Sequence, residues 1–179
     1  VAGRPMIVHV YETLAAVVEI VLVSVRKPDD DTGLPPEHVY DQYSDAGPLA
    51  GLHAGLLRCR TPWLLIVACD MPFLTKDVLN TLLAGRYSAA GPVVTRTSDD
   101  RLHPLCAMYS RDMLVDVETA LRDQHYALQD MLRHTSCVTE IPAPAYPLRN
   151  INQQQDLLAG ESGCGADDLG IHDRHYPER

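Results

Sequence analysis

At 179 residues the chain can bury the core of one domain and is short for two. Fifteen basic residues against 24 acidic ones give a formal charge of −9, which argues against broad binding to the phosphate backbone of nucleic acid and against an anionic membrane surface. Five cysteines with no C-x-x-C pair argue against a zinc site or disulfide framework, and no apolar stretch is long enough to span a bilayer, so a soluble protein of the reducing cytoplasm is expected.

The chain opens on a turn, Val1 to Pro5, and a helix with Met6, Val10, Leu14 and Val17 on one face. Glu19 to Val25 reads as a buried strand, and Arg26 to Pro36 as a surface loop in which Asp29, Asp30 and Asp31 are solvated charges rather than a metal site. A short strand around His38 to Asp41 leads to Gly47-Pro48-Leu49-Ala50-Gly51, after which Leu52, Leu56 and Leu57 mark a helix. Glycines at 47, 51 and 55 are costly in a helix. Close packing on a neighbour would explain them. So would exposed N–H groups at a helix start brought close to a ligand at Gly47 and Pro48.

The run Trp63 to Phe73 organises the rest. Its unbroken apolar stretch after Pro62 predicts a strand buried on both faces, with Trp63 in the core, ending on Asp70 and stopped by Pro72. Open α/β sheets bind ligands outside the carboxyl ends of their strands, which places Asp70 to meet a substrate or metal. Thr75 is the better N-cap of the next helix, with Asp77 in its first turn, so Asp70 is not needed for capping. Gly91 to Thr97 and Leu102 to Tyr109, joined by Ser98-Asp99-Asp100, read as a late antiparallel pair in an otherwise parallel sheet. Helices around Asp112 to Leu121 and Ala127 to Arg133, and a last strand over Cys137 to Ile141, complete an α/β domain over residues 1–160. Asn150 and Asn152 fall on one side of the segment that follows, if it is extended, and residues 161–179 read as a flexible tail in which His172 and His175 are solvated.

The ordered set Gly3-Arg4-Pro5-Met6-Ile7, Asp41, Gly47-Pro48-Leu49-Ala50-Gly51, Cys69-Asp70-Met71-Pro72-Phe73, His103-Pro104-Leu105 and Asn150-Ile151-Asn152 resembles the molybdenum cofactor guanylyltransferases. The resemblance runs from the first residue to about Leu158. It implies a three-layer, mostly parallel GT-A-like nucleotidyltransferase fold, and transfer of GMP from GTP to molybdopterin-bound molybdenum with release of pyrophosphate. It also implies magnesium (Mg2+) held by Asp70, nucleotide contacts at Asp41, Gly47, Pro48 and Gly51, and a cofactor-substrate site at Asn150 and Asn152. His103 belongs to the same motif series, in a positioning or packing role, because the attacking phosphate is already ionised near neutral pH and needs no base. The partners implied are GTP, the molybdopterin substrate, and proteins of cofactor biosynthesis and molybdoenzyme maturation.

Magnesium suits this donor set, since it takes one or two carboxylates together with substrate phosphates. Two departures stand out. Gln153 and Gln154 replace the family's threonine-proline after the asparagine pair. The family's opening strand and L-A-G-G-x-S-x-R-M-G loop with its lysine are not in the sequence, which predicts a shortened form, poorly active by itself. Cytidylyl transfer to the same cofactor, or nucleotide or partner binding without catalysis, are the alternatives.

Overall fold

The computed structural model describes residues 3–27, 30, 32–34 and 37–151. Asn152, the aspartates Asp29 and Asp31, and the tail from Glu161 lie outside the described residues. Helix α1 (Met6–Ala15) is followed by strands β1 (Val23–Val25) and β2 (His38–Tyr40), helix α2 (Pro48–Arg58), strand β3 (Trp63–Val67) and helix α3 (Lys76–Gly85). Strands β4 (Val93–Arg96) and β5 (Leu102–Ser110), helices α4 (Leu114–Arg122) and α5 (Leu128–His134), and strand β6 (Thr139–Pro142) complete the order.

The strands form two sheets. β1 and β2 pair in parallel, and the larger sheet has the order β3-β5-β4-β6. β5 is antiparallel to both of its neighbours and β4 is parallel to β6, so β5 is the one reversed strand of the larger sheet. The reversal is the expected one: Thr97 and Arg101 close the β4–β5 turn, and Asp100 takes a positive φ of 65°.

Alternation along these strands builds the layers. Val94, Ala107 and Tyr109 join one core cluster with α2, α4 and α5, whereas Val93, Cys106 and Met108 join a second with α3. Side chains of period two, apolar on both faces over Val93-Val94 and Cys106 to Tyr109, can satisfy both clusters only if helices cover both faces. The sheet is therefore the middle of three layers.

Two strand expectations need correction. β1 covers only Val23–Val25 rather than Glu19 to Val25, and Ile20 is 59% exposed. A ladder extends only as far as its partner, and β2 supplies three residues. β3 is half-buried along its whole length instead of buried on both faces. β3 pairs only with β5, and β1 only with β2, so each keeps one edge that no described strand covers. Val21 to Ser24 and Trp63 to Val67 line opposite parts of one cleft of about 1570 Å3. Trp63 packs partly buried against the second cluster. Among the described residues no helix is long and apolar enough to cross a membrane.

Candidate active site

Asp70 lies just beyond the carboxyl end of β3, where Ala68 N–H still donates to the Leu105 carbonyl at 2.8 Å and the ladder then stops before Pro72. The segment after β6 returns to it. Asn150 Nδ2 donates to Asp70 Oδ2 at 3.1 Å, and Ile151 N–H donates to the Asp70 carbonyl at 2.9 Å. Asp70 Oδ1 is buried and has no hydrogen-bond partner among the described residues. Burial pushes the carboxyl up from its ordinary value, against the smaller opposing effects of a backbone N–H and of Asn150. A buried carboxylate oxygen left without a donor is costly in a structural role and is what a cation or a bound group would satisfy.

On the other side of the cleft, Ser24 Oγ donates to Asp41 Oδ1 at 2.8 Å, and Asp41 N–H donates to the Val25 carbonyl. Gly47 sits at φ 56°, ψ −143°, a conformation that side chains rarely adopt, and a Cβ there would point into open space. It precedes α2, whose first turn has Pro48 and no side-chain cap, and in which the Ala50 N–H donates to the Gly47 carbonyl at 3.1 Å. Gly51 answers to packing: a Cβ would stand 3.1 Å from Ser24 Oγ and 3.9 Å from Asp41 Oδ1. Packing therefore accounts for Gly51, while Gly47 is required by its backbone conformation. Asp41, Gly47, Pro48, Gly51 and Asp70 all line the same cleft.

His103 and Asn150 line a second pocket of about 440 Å3. His103 is buried, and its Nε2 lies 3.1 Å from Thr97 Oγ1, which in turn donates to Asp99 Oδ1 at 2.5 Å. Thr97 has one proton to give, so the network assigns the Nε2–H tautomer to His103. Burial, helped by Arg101, holds the ring below its usual value, and Asp99 only partly offsets this. The ring is thus held toward its neutral form with Nε2 engaged by Thr97. Ser24, which steers Asp41, and the arginines of the second pocket were not marked by any sequence motif, because their significance depends on what the fold brings beside them. Among the described residues no group of three or more His, Cys, Asp or Glu could hold a metal alone.

The fold is shared with solved structures. Molybdopterin-guanine dinucleotide biosynthesis protein A from Archaeoglobus fulgidus superposes with a TM-score of 0.70 at 22% identity, covering 90% of this chain and 86% of that one. The 2-C-methyl-D-erythritol 4-phosphate cytidylyltransferase from Thermus thermophilus does so with a TM-score of 0.70 at 16% identity, covering 89% of each. In sequence, the molybdenum cofactor guanylyltransferase of Desulfosudis oleivorans is 34% identical over 171 residues, 92% of this chain and 84% of its own length. That of Syntrophotalea carbinolica is 29% identical over 164 residues, 88% and 78% respectively. The family model for the MobA-like NTP transferase domain matches residues 1–138, from before α1 to the end of α5 and the approach to β6. On that span, which takes in both walls of the cleft and Asp70, the chain belongs to the MobA-like NTP transferase family.

Proposed function

We propose that the protein is a molybdenum cofactor guanylyltransferase, moving GMP from GTP to the molybdenum-molybdopterin cofactor and releasing pyrophosphate. The observation that carries this reading is Asp70: a strand-end carboxylate with one buried oxygen that no described residue partners, in one cleft with Asp41 and the Gly47 turn. The guanylyltransferase names of relatives such as the Desulfosudis oleivorans protein support the choice of substrate.

Asp70 fits a divalent cation, Mg2+ in this reading, because it offers a hard oxygen donor and leaves the remaining positions to phosphate oxygens and water. When bound, such an ion neutralises charge at the α-phosphate. Asn150 orients the Asp70 carboxylate by donating to Oδ2, a contact that favours the ionised form against burial. The backbone of the Gly47 turn at the start of α2 lies against the nucleotide, with Asp41, held by Ser24, beside it. The acceptor phosphate attacks as an anion, so no side chain has to take a proton. His103 keeps the wall next to Asn150 in place, and Asn152 completes the acceptor side as the family motif implies.

Two measurements test this. An active preparation is expected to turn over GTP well ahead of CTP or ATP, because donors and acceptors matched to a guanine edge leave unmatched buried groups with the other bases, at about 1–3 kcal/mol each. Equal pyrophosphate release with CTP would move the protein to cytidylyl transfer. Gly47→Val is expected to cost about 1–3 kcal/mol of stability from its backbone conformation and to weaken GTP binding as the turn shifts. Unchanged GTP affinity in a folded Gly47→Val protein would remove this turn from the nucleotide site.

A further inference from the structure

His53, on α2, has no part in the chemistry above, yet it is only 2% exposed. Its Nε2 lies 3.7 Å from Glu118 Oε1 on α4, and its Nδ1 is buried with no hydrogen-bond partner among the described residues. The carboxylate calls for a proton on Nε2, so whatever Nδ1 holds, a lone pair or a proton, is left unsatisfied by those residues. A leucine, like Leu49 and Leu56 on the same helix, would fill the space with no such loss. Packing alone therefore does not call for an imidazole. The ring also meets Tyr43, with centroids 5.2 Å apart and planes at 85°, the edge-to-face arrangement that aromatic pairs prefer.

Tyr43 lies in the loop between β2 and α2 and lines the large cleft together with Asp41 and Gly47. Both ends of this loop are constrained. Asp41 N–H donates to the Val25 carbonyl at one end, and Asp45 and Gly47 take φ values of 61° and 56° at the other, conformations that persist only where the surroundings impose them. His53 supplies the support between. It takes part of the Tyr43 ring and leaves the residue 38% exposed, so the cleft receives an aromatic surface whose direction is set before a ligand arrives. Such a surface suits a flat heteroaromatic ring. The reading above offers two, the guanine of GTP and the pterin of the acceptor. Asp70 marks the end where phosphate is handled, and Tyr43 stands between Asp41 and Gly47 on the nucleotide side, which favours guanine. We propose, resting on the reading above, that Tyr43 stacks on the guanine ring and that His53, braced by Glu118, is the positioning residue that holds Tyr43 there.

The experiment uses the full chain with Tyr43→Leu, Tyr43→Phe, His53→Leu, His53→Phe and the double leucine variant. Binding of GTP and of inorganic triphosphate, each with Mg2+, is measured calorimetrically with no acceptor present, and the acceptor KM is measured separately. Tyr43→Leu is expected to weaken GTP binding about tenfold and to leave triphosphate within about twofold, the effect of losing one base–aromatic contact. Tyr43→Phe keeps the ring and should restore most of that loss. His53→Leu should weaken GTP about threefold and His53→Phe by less, because phenylalanine keeps an aromatic partner for Tyr43. The double variant should bind no worse than Tyr43→Leu alone, since His53 acts through Tyr43. Losses that add in the double variant would make His53 a general support of the fold and overturn its part. Unchanged GTP affinity in a folded Tyr43→Leu protein, an equal loss for triphosphate, or a loss confined to the acceptor KM would each overturn stacking on guanine. A wild-type chain that binds GTP no better than triphosphate would do the same. Ring-dependent GTP binding without any guanylyl transfer would leave this contact standing and remove the function, so the two fail separately.

Discussion

Asp70→Asn is expected to lower guanylyl transfer by at least ~10²–10³-fold while leaving the fold intact, since losing one fixed charge-stabilising group at a reacting phosphate has effects of that size. The variant keeps an oxygen able to accept from Asn150 Nδ2 and removes only the charge. Its stability should move the other way. Burial raises the Asp70 carboxyl above its ordinary 3.8, so the folded protein binds that proton more tightly than the unfolded chain does. Stability contributed by this group therefore falls as pH rises through the window from the unfolded pKa to the higher folded one, and the ionised carboxylate is a cost at neutral pH. Asp70→Asn should accordingly melt no lower than wild type at pH 7, with any advantage shrinking as pH falls below the ordinary carboxylate range. Metal-dependent transfer that persists in Asp70→Asn would show that a different group holds the cation, and a clearly lower melting temperature at pH 7 would show that the carboxylate is structural.

The contrast between activity and stability at Asp70 marks what a sequence can and cannot reveal. A carboxylate at the end of an apolar run followed by proline is a local pattern, so its position was legible, as were Gly47 before the helix and the turn at Ser98 to Asp100 that reverses β5. The orphaned oxygen was not, because it depends on Asn150, 80 residues away, taking Oδ2 and leaving Oδ1 without a donor among the described residues. Arg101 and Arg149 were invisible for the same reason: an arginine in a polar stretch says nothing until the pocket it lines is known. Strand lengths failed in a related way. Apolarity over Glu19 to Val25 and Trp63 to Phe73 records a preference to leave water, but pairing and two-sided burial need a neighbour on each edge, and the cleft between β1 and β3 provides none. Where the neighbour is present, as for β4 and β5, the two strands and their antiparallel pairing are those the sequence predicts, and the structure adds the register with its bulge between Val94 and Thr95.

The same dependence on neighbours makes Gly91→Ala the substitution with the largest expected effect on folding. Gly91 leads into β4 beside the start of β6, where Thr139 N–H donates to the Pro92 carbonyl at 2.8 Å and Val93 pairs with Thr139. A Cβ on Gly91 would lie 1.8 Å from the carbonyl oxygen of Cys137 and 3.0 Å from its carbon. No side-chain rotation relieves an overlap of backbone on backbone, so the two strands must separate at the point where their pairing begins. Overpacking of side chains costs about 1–3 kcal/mol, and a clash of this depth should exceed that, a large part of the ~5–15 kcal/mol that holds a domain folded. Gly85→Ala is the matched control. Its Cβ would press on Val93 Cγ1 at 2.9 Å and Ile141 Cδ1 at 3.0 Å, the ends of side chains that can shift, and a helical alanine recovers up to about 1 kcal/mol of propensity. Denaturant titration should therefore find Gly85→Ala within ~1 kcal/mol of wild type and Gly91→Ala lower by ~3 kcal/mol or more. Whatever fraction of Gly91→Ala still folds should also transfer poorly, because β6 is the element that carries the chain back to set Asn150 against Asp70. Equal midpoints for the two variants would mean that the β4–β6 junction yields easily and does not hold that side of the site in place.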